Sequence, residues 1–366
     1  MPHFEIDFLP IGEKGKSADA IAMRFGDFAG PPDKQWVVVV DGGTQEAGEN
    51  LVAHIRKYYG TNVVDIVVLT HPDSDHAAGL EVVLEKMDVG HLLMHKPWEH
   101  SSEIVDFIDD ERVTTDSLRQ RLRKSLEDAR DLENIANRKK IRIIEPFADV
   151  DLHLGPLHVL SPTQALYETL LPQFRNIGKP AEAGLMKAAY QAVVGVVGKV
   201  AESMGIETLA DPADEETSAE NNTSVVLHYQ YGDPYQCVLT GDAGVLALTC
   251  AASRAEALGI NLQAANCIQV PHHGSRHNVG PTILSRIVGP KQLVFAKSMN
   301  AIVSASKGDG DHPSKKVTNA FYRRGAPVTS TQQVSGYLRF DSPGTPQRPG
   351  CGPVSNLPFY DEVEED

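Results

Sequence analysis

The stretch VVDIVVLTHPDSDHAAGL, Val63 to Leu80, constrains the fold more than any other part of the chain. Its β-branched opening reads as a buried strand. It then changes to His71, Pro72, Asp73, Ser74, Asp75 and His76, and closes with Ala-Ala-Gly before an apolar helical pattern, Gly79 to Met87. Proline cannot donate to a strand ladder, so the strand stops at Pro72 and the polar residues follow on a turn. Imidazole nitrogens and carboxylate oxygens are the donors that hold zinc or manganese. Four such donors at the end of a buried strand point to a metal site. A solvated acidic loop, with Asp75 capping a helix, is the plainer alternative.

The same grammar recurs along the chain. KQWVVVVDGG is a strand ending in Asp41, Gly42 and Gly43, and Asp-Gly is also an ordinary turn pair. PYQCVLTGDAG ends at Asp242, and INLQAANCIQVPHHGS ends at His272, His273 and Ser275. Each run is short and apolar, and each ends in a turn that aims polar side chains away from a sheet. Two divalent cations a few ångströms apart need carboxylates to neutralise them, and Asp242 is placed to bridge both. Water activated by such ions is a nucleophile at neutral pH.

The remaining runs give a strand–helix alternation expected of an α/β fold. Pro2 to Pro10 and Ala20 to Phe25 read as strands, as do IRIIEPF, LHLGPLHVLSP, NNTSVVLHYQY, KQLVFAKS and GYLRF. A helix is expected from Ser314 to Arg324, following His312. Two helical inserts interrupt the pattern, about 99–140 and 163–220, within a domain spanning 1–340. The first carries the basic runs RQRLRK and NRKKIR, either a solvated face or a positive rim for a phosphate chain. The second has the length of a cap or a homodimer contact. Residues 341–366 read as an irregular tail with an acidic end.

Composition excludes several classes. The net charge of −15 argues against a broad nucleic-acid surface, though not against a local groove. Cys237, Cys250, Cys267 and Cys351 form no CxxC pair, so neither a disulfide framework nor a cysteine zinc site is expected. No apolar run has membrane-spanning length, and MPHFEIDF lacks a leader pattern. The expected setting is the cytoplasm, away from membranes.

These residues together resemble a metallo-β-lactamase-fold hydrolase. Asp41 stands at the family's first motif, and His71, Asp75 and His76 match HxHxDH, with Asp73 in place of the second histidine. Asp242 matches the bridging aspartate, and VPHHGS matches the final histidine. The order of NNTSVVLHYQYGDPYQCVLTGDAG, VPHHGS and DHPSKKVTNAFYRRGAPV is similar to the C-terminal metallo-hydrolase domain of the DNA-internalisation competence protein ComEC. The resemblance implies a four-layer αββα fold, two packed mixed sheets flanked by helices, and one or two divalent metal ions, zinc or manganese. It implies metal contacts from His71, Asp73, Asp75, His76, Asp242, His272 and His273, with Asp41 in support.

Two departures change the ligand balance. Asp73 replaces a histidine, and Asn221 and Asn222 lie where a further histidine would fall. Oxygen-rich sites favour manganese or magnesium. The firmer position is expected to use Asp75, His76, Asp242 and one of the paired histidines. His272, nearest the strand end, is the first choice, with His273 as support or proton donor. Asp75, His273 and His312 are the candidate catalytic residues; Ser275 and Asn222 are candidate substrate contacts.

The expected function is metal-dependent hydrolysis of a phosphodiester in nucleic acid or a nucleotide-type substrate, with a hydroxide held by the metals as the nucleophile. The alternatives are a small phosphodiester such as a cyclic nucleotide, an ester or lactone under the helical cap, or a metal-binding sensor with low turnover.

Overall fold

The computed structural model describes residues 3–11, 17–28, 30, 34–108, 112–175, 177, 200–213, 216–230, 235–349 and 354–364. Its strands are β1 (His3–Phe8), β2 (Ala20–Gly26), β3 (Gln35–Gly42), β4 (Val63–Val68), β5 (Asp88–Leu93), β6 (Arg142–Ile144), β7 (Leu157–Ser161), β8 (Val200–Ala201), β9 (Val226–Gln230), β10 (Gln236–Leu239), β11 (Cys267–Gln269), β12 (Asn300–Val303), β13 (Val328–Ser330), β14 (Leu338–Asp341) and β15 (Glu362–Val363). The α-helices are α1 (Gln45–His54), α2 (Ser74–Lys86), α3 (Ser101–Ile104), α4 (Thr115–Ser125), α5 (Glu127–Lys139), α6 (Gln164–Leu170), α7 (Ala219–Asn222), α8 (Val245–Ala257), α9 (Pro281–Ile287) and α10 (Lys315–Arg323).

Among the described residues, one sheet runs β14-β1-β2-β3-β4-β5-β6 and a second runs β13-β12-β11-β10-β9-β7. Both are mixed: β1 to β3 pair antiparallel and β3 to β6 parallel, while β10 to β13 pair parallel beside antiparallel β9. Strand alternation explains the layering. Phe4, Ile6, Phe8, Val38 and Val40 of the first sheet share a buried cluster with Leu227, Leu239, Cys267 and Ile302 of the second. The outer face of the first sheet packs on α1, α2, α4 and α5, and that of the second on α8, α9 and α10. The result is the four-layer αββα arrangement that the resemblance implied.

The parallel strands matter for function because their carboxyl ends lie along one edge. The helices leaving that edge pack closely on it. A Cβ on Gly79 of α2 would meet the Gly42 carbonyl oxygen at 1.9 Å, so only glycine fits this crossing.

Several expectations need adjusting. Helix α2 begins at Ser74 rather than Gly79, which puts Asp75 and His76 in its first turn. KQLVFAKS is not a strand. Leu293 and Val294 are 80% and 82% exposed, and the strand beside β11 is β12, in register Cys267↔Asn300. Its alternating Ala301 and Val303 reach the core beneath α10, which the more apolar LVF run does not. For the basic runs of the first insert the solvated-face reading holds: among the described residues none of them lines the cavity. Arg123 pairs with Glu133 at 3.0 Å, Arg138 with Glu85, and Lys139 donates to the Glu85 and Met87 carbonyls.

Most of the second insert's apolar middle lies outside the described residues, and so does Cys351. The tail is irregular in outline but anchored. β15 pairs with β8, Tyr360 N–H donates to Asn319, and Arg348 reaches Asp7 at 2.8 Å. Among the described residues, no helix is long and apolar enough to cross a membrane.

Candidate metal centre

Four histidines converge on one carboxylate. Asp242 follows β10 through Thr240 and Gly241, whose N–H groups both donate to the Gln269 side chain. Gly241 has φ +49°, and a Cβ there would sit 2.8 Å from the Thr70 hydroxyl, so glycine is required. His272 and His273 follow β11 with φ of +46° and +56°, two consecutive left-handed residues that are not glycine. Strain of this kind collects at functional sites and turns both rings toward Asp242.

Asp242 Oδ1 faces His76 Nε2 at 3.5 Å and His273 Nε2 at 3.9 Å. Its Oδ2 faces His272 Nε2 at 3.5 Å and His71 Nε2 at 3.7 Å. Each ring is fixed through its other nitrogen. His76 Nδ1 lies 2.8 Å from Asp41 Oδ2, and His273 Nδ1 lies 2.9 Å from the Ser304 carbonyl. His272 Nδ1 lies 2.7 Å from Asn278 Oδ1, and Asn278 donates in turn to the Asp242 carbonyl. His71 Nδ1 lies 3.1 Å from the Thr70 hydroxyl, which donates to Asp41. With Nδ1–H donating outward, each neutral ring presents its Nε2 lone pair inward, as a metal ligand must.

The polar atoms inside this arrangement lack partners. The Nε2 atoms of His71, His76 and His273, Asp242 Oδ1 and both oxygens of Asp19 are buried without a hydrogen bond. Unsatisfied buried groups are costly, and this set fits a cation. Asp19, His76, Asp242 and His273 each offer a donor atom within 4.8 Å of the others. Burial would raise the Asp242 pKa, but the charges of His272, His76 and His273 hold it well below the carboxylate range. Burial would lower His76, yet Asp242 and Asp41 push it well above the usual imidazole value. Burial raises Asp19, against the pull of His273 and His76.

Asp41 is fully buried and supports the site from behind, accepting from Thr70 N–H at 2.8 Å as well as from the Thr70 hydroxyl and His76. Asp75 is half-buried and lines the cavity, while the tight buried set holds Asp19 in its place. Both paired histidines face Asp242, on opposite oxygens, and His273 is the one in the tight set. Asp73 Oδ2 lies 4.0 Å from His71 Nε2.

Ser275 and Asn222 are buried and are not among the residues lining the cavity. Ser275 Oγ accepts from His277 N–H, and the Asn222 amide donates to the Thr217 carbonyl. Asn221 Nδ2 lies 3.4 Å from His272 Nδ1, beside the metal-facing rings rather than among them. His312 lines the cavity and is held by Asp309 at 3.2 Å. Burial would raise Asp309, but its bonds to Ser17 and His312 bring it down to about 2.

Sequence reading missed Asp19. Its signal was faint: an aspartate between the polar turn 12–17 and a mostly apolar strand. The centre opens into a cavity of about 1190 Å³. Among the described residues, eight carboxylates and one guanidinium, Arg175, line it.

Residues 33–170 match the family model of the metallo-beta-lactamase superfamily. No curated protein sequence matches the chain. Among solved structures, yeast PDE1 in its unliganded form is similar at 11% identity and a TM-score of 0.41, over 90% of this chain and 98% of that one. A diphosphatase from the PhnP family is similar at 10% identity and a TM-score of 0.38, over 93% and 99%. The Rm3 metallo-beta-lactamase is similar at 14% identity and a TM-score of 0.28, over 77% and 84%.

Proposed function

We propose that this protein is a metal-dependent hydrolase whose substrate is a small phosphodiester. The observation that carries the reading is Asp242, each of whose oxygens faces two inward-turned histidine nitrogens. A carboxylate so placed can serve two cations at once. Divalent ions held there would supply a water of lowered pKa and neutralise a phosphate. The donor set mixes imidazole with carboxylate, so zinc and manganese both suit it.

The chain's own groups do the rest. Asp41, Ser304, Thr70 and Asn278 orient the four rings. Asp309 holds His312 Nδ1, which leaves Nε2 to exchange a proton with a substrate in the cavity.

The cavity wall favours the small substrate over long nucleic acid. Among the described residues that line it, eight carboxylates against one guanidinium disfavour a polyanion. A single phosphodiester brings one negative charge to the cations and little to the wall. The ComEC resemblance supports the phosphodiester chemistry and leaves substrate length to the cavity.

The test compares bis(p-nitrophenyl) phosphate with a single-stranded oligonucleotide, each with manganese or zinc. Hydrolysis of the small diester, lost in Asp242→Asn, is expected. Faster cleavage of the oligonucleotide overturns the size assignment, and inactivity on both substrates overturns phosphodiester hydrolysis.

A further inference from the structure

Asp73 occupies the N-cap position of α2, yet its side chain makes no cap bond. Its backbone carbonyl accepts from His76 and Ala77, as an N-cap carbonyl should. The carboxylate instead turns to Arg175, whose Nη2 donates to Oδ1 at 2.6 Å and Oδ2 at 2.9 Å. Arg175 is itself anchored. Its Nε donates to Glu220 Oε1 at 3.0 Å, its backbone N–H donates to the same oxygen at 2.7 Å, and Glu220 is buried. The guanidinium thus clasps a carboxylate whose Oδ2 stands 4.0 Å from His71 Nε2.

The two faces of Asp242 differ accordingly. On the Oδ1 face, Asp19, His76 and His273 are buried and their inward atoms are unengaged. On the Oδ2 face stand His71 and the 32% exposed side chain of His272, with Asp73 already ion-paired.

We propose that Arg175 competes with the second cation for Asp73. The position on the Oδ2 face gains Asp73 as a ligand only when the Arg175–Asp73 pair opens. This rests on the reading of Asp242 as serving two ions. It makes the two positions unequal in affinity, and it assigns a function to an arginine contributed by the second insert.

Two physical effects act in the same direction. A guanidinium occupying both carboxylate oxygens must be displaced before the carboxylate can ligate. A fixed positive charge beside the position also repels an arriving cation. The pair is partly exposed, with the Arg175 side chain at 62%, so the effect is moderate.

The test is calorimetric titration of the chelator-stripped full chain with Mn²⁺. Wild type is expected to show a tight first ion and a weaker second. Arg175→Gln should tighten the second Kd about three- to tenfold and leave the first unchanged. Asp73→Asn should weaken the second ion and abolish the effect of Arg175→Gln. Arg175→Lys keeps the charge without the forked geometry and should give a smaller gain; it decides the matter if Arg175→Gln fails to fold. An unchanged second Kd in the soluble Arg175 variants, or the same gain in the Asp73→Asn background, overturns the proposal. Fewer than two ions bound by wild type instead overturns the two-cation reading beneath it.

Discussion

Replacing Asp41 with asparagine tests how the site holds its ligands without touching the cation positions. Asp41 is fully buried and accepts three hydrogen bonds: Thr70 N–H on Oδ1, and the Thr70 hydroxyl and His76 Nδ1–H on Oδ2. An asparagine has one acceptor oxygen. If that oxygen keeps the Oδ2 bonds, its amide faces Thr70 N–H. If it keeps the Oδ1 bond, the amide faces both the hydroxyl and the imidazole. Either way at least one buried donor meets another donor, and the charge that favours protonated His76 in the metal-free state is gone. The unsatisfied donor costs about 1–3 kcal/mol of stability. With His76 no longer fixed, metal affinity should fall about 10- to 100-fold, the usual effect of removing a ligand's supporting carboxylate. Urea unfolding of stripped protein reads the first quantity, and competition against a chromophoric chelator reads the second. Wild-type metal affinity in a folded Asp41→Asn variant would refute the claim that Asp41 sets the His76 ring.

Other perturbations reach parts of the fold that do not bind metal. His95 is buried between Tyr167 and Phe147, ring centroids 4.5 and 4.7 Å away, and burial brings its pKa down to about 3. Below the unfolded imidazole pKa near 6.5, the unfolded chain binds a proton that the folded chain refuses. Stability should therefore fall on acidification from pH 6.5 towards 3, by up to about 1.4 kcal/mol per pH unit. Unfolding midpoints across that range should fall less steeply in His95→Phe, and parallel curves would contradict the assignment. Arg323 is buried against Glu202 and the Ser203 and Ile206 carbonyls. Arg323→Ala leaves Glu202 short of its cation and should cost about 3–5 kcal/mol, read by thermal unfolding. Gly241→Ala places a Cβ 2.8 Å from the Thr70 hydroxyl at φ +49°, and should cost about 1–3 kcal/mol as well as weakening metal binding in the chelator competition.

The layers and most of the centre were legible because each rests on a local pattern. An apolar run followed by a turn marks a strand end; the ends of β3 and β4 in the first sheet supply Asp41 and His71, and those of β10 and β11 in the second supply Asp242, His272 and His273. Asp19 was not legible, because its position depends on pairing. The register Ala20↔Gly42 carries it alongside the end of β3. A polar turn before a strand carries no hint of such a partner. Arg175 has the composition of a surface residue, and only the fold brings it to Asp73, 102 positions away. The basic segments of the first insert left a solvated face and a phosphate rim both open, and the structure favours the face, with Arg123 and Arg138 paired to Glu133 and Glu85 and Lys139 donating to backbone carbonyls. In the tail, proline, glycine and acidic residues suggested a free end, yet single side chains such as Arg348 and Glu364 tie it down.

Diffraction from crystals soaked in zinc, recorded at the zinc absorption edge, tests the central claim most directly. The account predicts two anomalous peaks flanking the Asp242 carboxylate, one beside His76 and His273 and the other beside His71 and His272. Ions bound elsewhere, with the four imidazoles still turned inward around an empty centre, would contradict it.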